Sequence, residues 1–125
     1  SNVRPLLVRF DHIGRRELRE AVELVNRLYH DGYEMEYLTK MLVSFFRDAL
    51  LVKVDSSFDP AAAGSRLPAE SREAGGALTA YTADDLADAI VHLIEAIAAS
   101  RRSPIPQLPL ELALIRIVHG VPEKE

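Results

Sequence analysis

Residues 100–118, Ser-Arg-Arg-Ser-Pro-Ile-Pro-Gln-Leu-Pro-Leu-Glu-Leu-Ala-Leu-Ile-Arg-Ile-Val, constrain the fold more than any other part of the chain. Pro104, Pro106 and Pro109 fall within six residues. Each fixes φ and lacks an N–H donor, so residues 103–108 can hold neither a helix nor a strand. Each also drives the residue before it into an extended conformation. Pro109 differs from the other two, because a proline suits the first helical turn, where N–H groups have no intrahelical partner anyway. From Leu110 to Val118 only Glu111 and Arg116 are polar. The spacing predicts a last helix that is apolar nearly all round, and such a helix is buried in its own core or against another subunit.

Three further helices precede it. Residues 14–31 repeat Leu18, Ala21, Val22, Val25, Leu28 and Tyr29 at three and four residues, with Arg15, Arg16, Glu20, Glu23 and Arg27 on the other side. Glu23 and Arg27 are spaced for an i,i+4 pair, and Gly32 suits a left-handed ending. Residues 34–54 carry a stripe of Leu38, Met41, Leu42, Phe45, Ala49 and Val52, widened by Val43, Phe46, Leu50 and Leu51. That stripe is wider than one core requires, so this helix is expected to be central or to touch a second partner. Residues 82–100 open with Thr82-Ala-Asp-Asp85, a capping box with acids at the positive end of the dipole. Its stripe is Leu86, Ala89, Ile90, Leu93, Ile94 and Ile97.

The remaining segments are less regular. Residues 3–10 permit a short strand, but Leu6, Leu7 and Phe10 fit a helix face better, with Pro5 in its first turn. Residues 55–80 hold turn and breaker chemistry around Asp59-Pro60, Gly64-Ser65 and Gly75-Gly76. A structureless loop that long is unusual in a compact domain, so a short helix is expected within residues 68–74. The whole reads as an all-α bundle of about five to six helices, a single helical domain over residues 1–125 with a partly irregular insert at residues 55–80.

Composition narrows the functions. A chain of 125 residues with 48% hydrophobic and 27% charged residues can build its own core. The absence of cysteine excludes disulfides and thiolate metal sites and fits a reducing compartment. A net charge of −4 gives no support to phosphate-backbone binding. No apolar run approaches the roughly 20 residues of a membrane helix. The chain opens Ser1-Asn2 rather than with Met, and it is expected to be a domain of a longer protein.

No catalytic constellation stands out. His12, His30, His92 and His119 lie far apart, and none has a metal-ligand spacing. His92 can pair with Asp88 or Glu95 on its own helix; a solvated helix face accounts for it as well. His30 reads as an imidazole at a helix end, and Asp84-Asp85 is explained by capping. Gly75-Gly76 lacks the pattern that cradles phosphate. Arg15-Arg16 and Arg101-Arg102 have no interleaved aromatics and read as solvated helix ends. Met35 and Met41 read as gap fillers in the core. What exceeds the needs of a monomer is the apolar girth of residues 34–54 and 108–118, which marks either a fully buried central helix or a subunit interface.

Two motifs carry a resemblance. Ser103-Pro104-Ile105-Pro106-Gln107-Leu108-Pro109-Leu110-Glu111-Leu112-Ala113-Leu114 resembles the Ser-x-Asn-Pro-Arg-Leu-x-Leu-Glu-x-Ala-Leu segment of domain III in bacterial DNA polymerase III gamma/tau subunits. It departs from that pattern at Ile105, where Asn is usual, and at Gln107, where Arg is usual. Phe46-Arg47-Asp48-Ala49-Leu50-Leu51-Val52-Lys53 is similar to the family's Phe-Arg-Asp-Leu-Leu-Leu-x-Lys run, and the helix and glycine before it match in order. The resemblance covers residues 16–118 and is weakest over residues 55–80.

The resemblance implies a non-catalytic oligomerisation domain that packs with neighbouring subunits into the clamp-loader collar, which holds ATPase modules together as the sliding clamp is loaded in DNA replication. It implies no cofactor here, with ATP and Mg belonging to modules elsewhere in the parent, and a cytoplasmic, bacterial setting. The implied partners are other clamp-loader subunits and copies of itself, with neither nucleic acid nor membrane contacted. Phe46, Leu50, Leu108, Leu110, Glu111, Leu114 and Ile115 are the candidate interface residues, and Glu111 is expected to cap or pair near the start of the last helix. Two alternatives stay open. One is a collar-like domain from another AAA+ clamp-loader or helicase-loader protein. The other is a small helical ligand-binding or enzymatic bundle with a pocket lined by His92, Asp88 and Glu95.

Overall fold

The computed structural model describes residues 15–65, 78 and 81–120. Among them are four helices and no strand: α1 (Arg15–His30), α2 (Met35–Val54), α3 (Ala83–Ser100) and α4 (Leu108–Gly120). The all-α reading holds. The helices expected in residues 3–10 and 68–74 lie outside the described residues.

Each helix end has a local cause. α1 stops where Gly32, at φ +99°, leaves the helix. Gly32 N–H donates to Tyr29 C=O (3.0 Å) and Tyr33 N–H donates to Leu28 C=O (3.0 Å), the crossed pair of bonds that satisfies the last carbonyls of a helix ending in glycine. α3 starts at the expected capping box. Thr82 Oγ1 accepts from Asp85 N–H (3.1 Å), and an Asp85 carboxylate oxygen accepts from Thr82 N–H (2.9 Å). Tyr81 and Leu86, on either side of that cap, are both sealed in the core, at the two positions of a hydrophobic staple. Between α3 and α4, the Ser103 hydroxyl donates to Ile105 C=O and accepts from Ile105 N–H, folding the proline-rich turn on itself.

One hydrophobic cluster runs through all four helices. α2 packs along α3, α3 along α4, and α4 against α1. The helix that touches two strong neighbours is therefore α3, whereas the wide stripe of α2 leads to the expectation that α2 is central or touches a second partner. α3 buries Leu86, Ala89, Leu93 and Ala96, and its small Ala89 and Ala96 alternate with the two leucines along one face. α2 spends its wide stripe on one deep face of Leu38, Leu42, Phe45, Phe46 and Ala49. Phe45, Phe46 and Tyr81 form an edge-to-face series with ring centroids 5.6 and 5.7 Å apart, an arrangement that adds to the area term. The i,i+4 pair anticipated between Glu23 and Arg27 is not formed; both side chains are exposed on α1.

Candidate functional site

One arrangement clasps a turn to α2, two tie helices together, and a fourth feature leaves apolar surface uncovered. The first sits at the Phe46-Arg47-Asp48 run. Asp48 is only 2% exposed. Its Oδ2 accepts from the Ser65 hydroxyl at 2.5 Å, and its Oδ1 lies 3.6 Å from Arg47 Nη1. Arg47 Nη2 donates to Ala63 C=O at 2.6 Å. A buried carboxylate is tolerable only when paired and hydrogen-bonded, and here the two adjacent charges clasp the segment that follows α2. That segment is itself a short turn ending at Gly64 (φ +88°), with Ser65 N–H donating to Pro60 C=O (2.8 Å) and Gly64 N–H to Ala61 C=O (3.2 Å). Part of the insert read as irregular is thus locally ordered.

The second arrangement joins α1 to the start of α4. Asn26 Nδ2 donates to Glu111 Oε2 (2.8 Å) and to Val22 C=O (3.0 Å), and Asn26 Oδ1 accepts from Gln107 Nε2 (3.2 Å). Glu111 therefore pairs near the start of the last helix, and its partner is a half-buried amide on α1. Sequence reasoning missed Asn26. Its signal was an amide of poor helix propensity in the middle of an otherwise strong helix.

The third links the N-terminal turn of α2 to the residue that closes α3. Arg101 Nε donates to Glu36 Oε1 at 2.7 Å, and Lys40 Nζ donates to Glu36 Oε2 at 3.1 Å. Arg101, expected to be free in solvent, is instead paired across the bundle. Its guanidinium first, then the Lys40 ammonium, lowers the Glu36 pKa to about 2. Glu36 and Arg101 edge an open pocket of 570 Å³ lined also by Tyr29, Tyr33, Met35 and Pro106, among others. None of His92, Asp88 and Glu95 lines it. His92 Nδ1 lies 3.6 Å from Glu95 Oε1 on the flank of α3, and that nitrogen is buried without a hydrogen-bond partner among the described residues.

The fourth feature is the outward side of α4. Leu110, Ala113, Leu114 and Ile117 face the core, and on the opposite side Leu108 (36%), Leu112 (42%) and Ile115 (40%) are exposed. Ile105 (50%) in the preceding turn carries the same character. α3 shows a second set, Val91 (55%) and Ile94 (53%). The candidate interface residues divide accordingly. Phe46, Leu110 and Leu114 are corrected: all three are fully buried in the chain's own core and have no surface left for a neighbour. Leu50 is half-buried against that core, and Glu111 is half-buried and engaged by Asn26. Leu108 and Ile115 remain, and Leu112, Ile105, Val91 and Ile94 join them. A wheel centred on the core-facing residues would have found Leu112, because it lies four residues after Leu108.

Among the described residues no group of three or more His, Asp or Glu side chains is placed to hold a metal ion. No helix there is long and apolar enough to cross a membrane. The described residues form a helical domain whose exposed large hydrophobics include Val91 and Ile94 on α3 and Leu108, Leu112 and Ile115 on α4. Residues 4–125 match the family of DNA polymerase III subunits gamma and tau, domain III, and the chain belongs to that family. No curated relative and no solved structure matches it.

Proposed function

We propose that this chain is the collar domain of a clamp-loader gamma/tau subunit: a non-catalytic, cytoplasmic packing unit that joins neighbouring clamp-loader subunits and so supports ATP-driven loading of the sliding clamp. Family membership supports the setting. The observation that carries the reading is the outer face of α4, where Leu108, Leu112 and Ile115 are exposed at positions a soluble helix normally gives to charged residues. ATP, Mg and the chemistry of hydrolysis belong to other modules of the parent. The domain acts as a single unit whose network at Asn26 and Glu111 holds α4 at a fixed angle to α1, so that the face is presented rigidly.

The test is sedimentation over a wide concentration range, with the chain alone and mixed with the other clamp-loader subunits. The expected result is entry into an assembly, lost in a Leu108→Asp, Ile115→Asp double variant that keeps wild-type helicity. A chain that stays monomeric under both conditions overturns the reading.

A further inference from the structure

The two exposed apolar stripes differ in the charges beside them. On α3, Ala87, Val91, Ile94 and Ala98 recur at four and three residues, so they share one side of the helix. The exposed carboxylates of Asp84, Asp88 and Glu95 run alongside that stripe. On α4 the stripe is Leu108, Leu112 and Ile115, extended by Ile105, and the exposed charge beside it is the Arg116 guanidinium. The nearby acid, Glu111, already accepts from Asn26. Arg116, Asp84 and Asp88 form no ion pair among the described residues.

These charges decide which stripe can cover which. Two α3 stripes face to face would set three carboxylates against three, and like charges across an interface are strongly unfavourable. Two α4 stripes would bring guanidinium toward guanidinium. An α3 stripe against an α4 stripe removes both repulsions and sets Arg116 opposite the carboxylate row. The lengths also agree: Ala87 to Ala98 spans about 16 Å of helix, and the run from Ile105 through Ile115 is similar.

Resting on the collar reading above, we propose that the α3 stripe of one copy is the seat for the α4 stripe of a second copy, with Ile105 as an added anchor at the edge. In this contact Val91 and Ile94 lie between Leu108, Leu112 and Ile115 of the second copy, ridge into groove. Arg116 fixes the register against Asp88 and Glu95.

Two variants, Ile94→Asp and Leu112→Asp, test the pairing, with circular dichroism confirming that both stay helical. Each alone is expected to be monomeric by sedimentation. Mixed, they are expected to form a dimer, because one contributes an intact α4 stripe and the other an intact α3 stripe. A second pair, Asp88→Arg and Arg116→Glu, leaves every apolar residue in place. Each alone is expected to self-associate at least about tenfold more weakly than wild type, and the mixture to recover. Ile105→Asn is expected to weaken self-association several-fold. Wild-type chain that assembles while neither mixture recovers overturns the pairing. A chain that ignores other copies yet joins the remaining clamp-loader subunits overturns the pairing and leaves the collar reading standing. One that does neither overturns both.

Discussion

α2 and α4 are both rich in aliphatic residues, yet they dispose of them differently. α2 places Leu38, Leu42, Phe45, Phe46 and Ala49 on one face and seals them beneath α3 and Tyr81. α4 seals Leu110, Ala113, Leu114 and Ile117 and leaves Leu108, Leu112 and Ile115 outside on the opposite side. Apolar content by itself therefore does not distinguish a core helix from an interface helix. The distinction lies in whether the surplus falls beside the buried face, as in α2, where Val43 and Leu50 still touch the core, or opposite it, as in α4. In the first case the described residues close over the surplus, and in the second they leave it uncovered.

The largest effect that can break this comparison is expected at Phe46. Phe46→Ala removes a fully buried ring that meets Phe45 and Tyr81 edge-to-face. A loss of about 3–5 kcal/mol in denaturant unfolding is expected, as for other buried aromatics. Assembly should fail only to the extent that folding fails. If Phe46→Ala instead disrupts assembly at full stability, the ring is not the core element described here.

The clasp at the end of α2 comes next. Asp48→Ala removes the acceptor of the Ser65 hydroxyl and the ion-pair partner of the Arg47 guanidinium, and a loss of about 1–3 kcal/mol is expected. The same change should speed proteolysis near residues 60–65, because the Arg47 and Ser65 contacts hold that turn against the helix. Glu111→Ala removes one hydrogen bond from Asn26, a half-buried contact worth about 1 kcal/mol. Its effect on assembly should exceed its effect on stability, since α4 loses the tie that sets its angle to α1. Unchanged stability and assembly would show that Glu111 holds nothing.

Leu112→Ala gives the reverse of Phe46→Ala. The side chain is 42% exposed, so unfolding free energy should shift by less than about 0.5 kcal/mol, while self-association read by sedimentation weakens clearly. The two substitutions together separate closing over a surplus from offering it to a neighbour.

The helices themselves were legible because each carries its period and its punctuation in adjacent residues: Gly32, the Thr82-to-Asp85 box, and Pro109 in the first turn of α4. Which apolar side chains stay exposed was only half legible. Phe46, Leu110 and Leu114 carry the same chemistry as Leu108 and Ile115, and only the rotation of each helix against its neighbours separates them. That rotation is set by contacts between residues distant in sequence, such as Phe46 with Tyr81 and Asn26 with Glu111. The Arg47–Asp48 clasp was visible as a motif, but its purpose was not, because Ala63 and Ser65 lie in a segment whose composition reads as turn. The clip between Glu36 and Arg101 had no local signal at all, as its partners stand in different helices.

That clip provides the smallest and most specific effect. Glu36 joins α2 to the end of α3 through Arg101, and its pKa is lowered to about 2, first by the Arg101 hydrogen bond and then by Lys40. A carboxylate whose folded pKa lies below its unfolded value contributes stability at pH values above the unfolded pKa, near the ordinary 4.5 for this group. That contribution fades as pH falls from there toward 2. Glu36→Gln should therefore be less stable than wild type at neutral pH, with the difference narrowing through this acid window. Because the three side chains are largely exposed, the difference should also shrink as salt is added. Guanidinium unfolding would mask that screening, so urea titrations at matched ionic strength are the measurement. A gap that persists unchanged below pH 3 would mean that Glu36 acts by packing, and that the ends of α2 and α3 are joined by the apolar side chains of the neighbouring pocket, Tyr33 and Met35 among them.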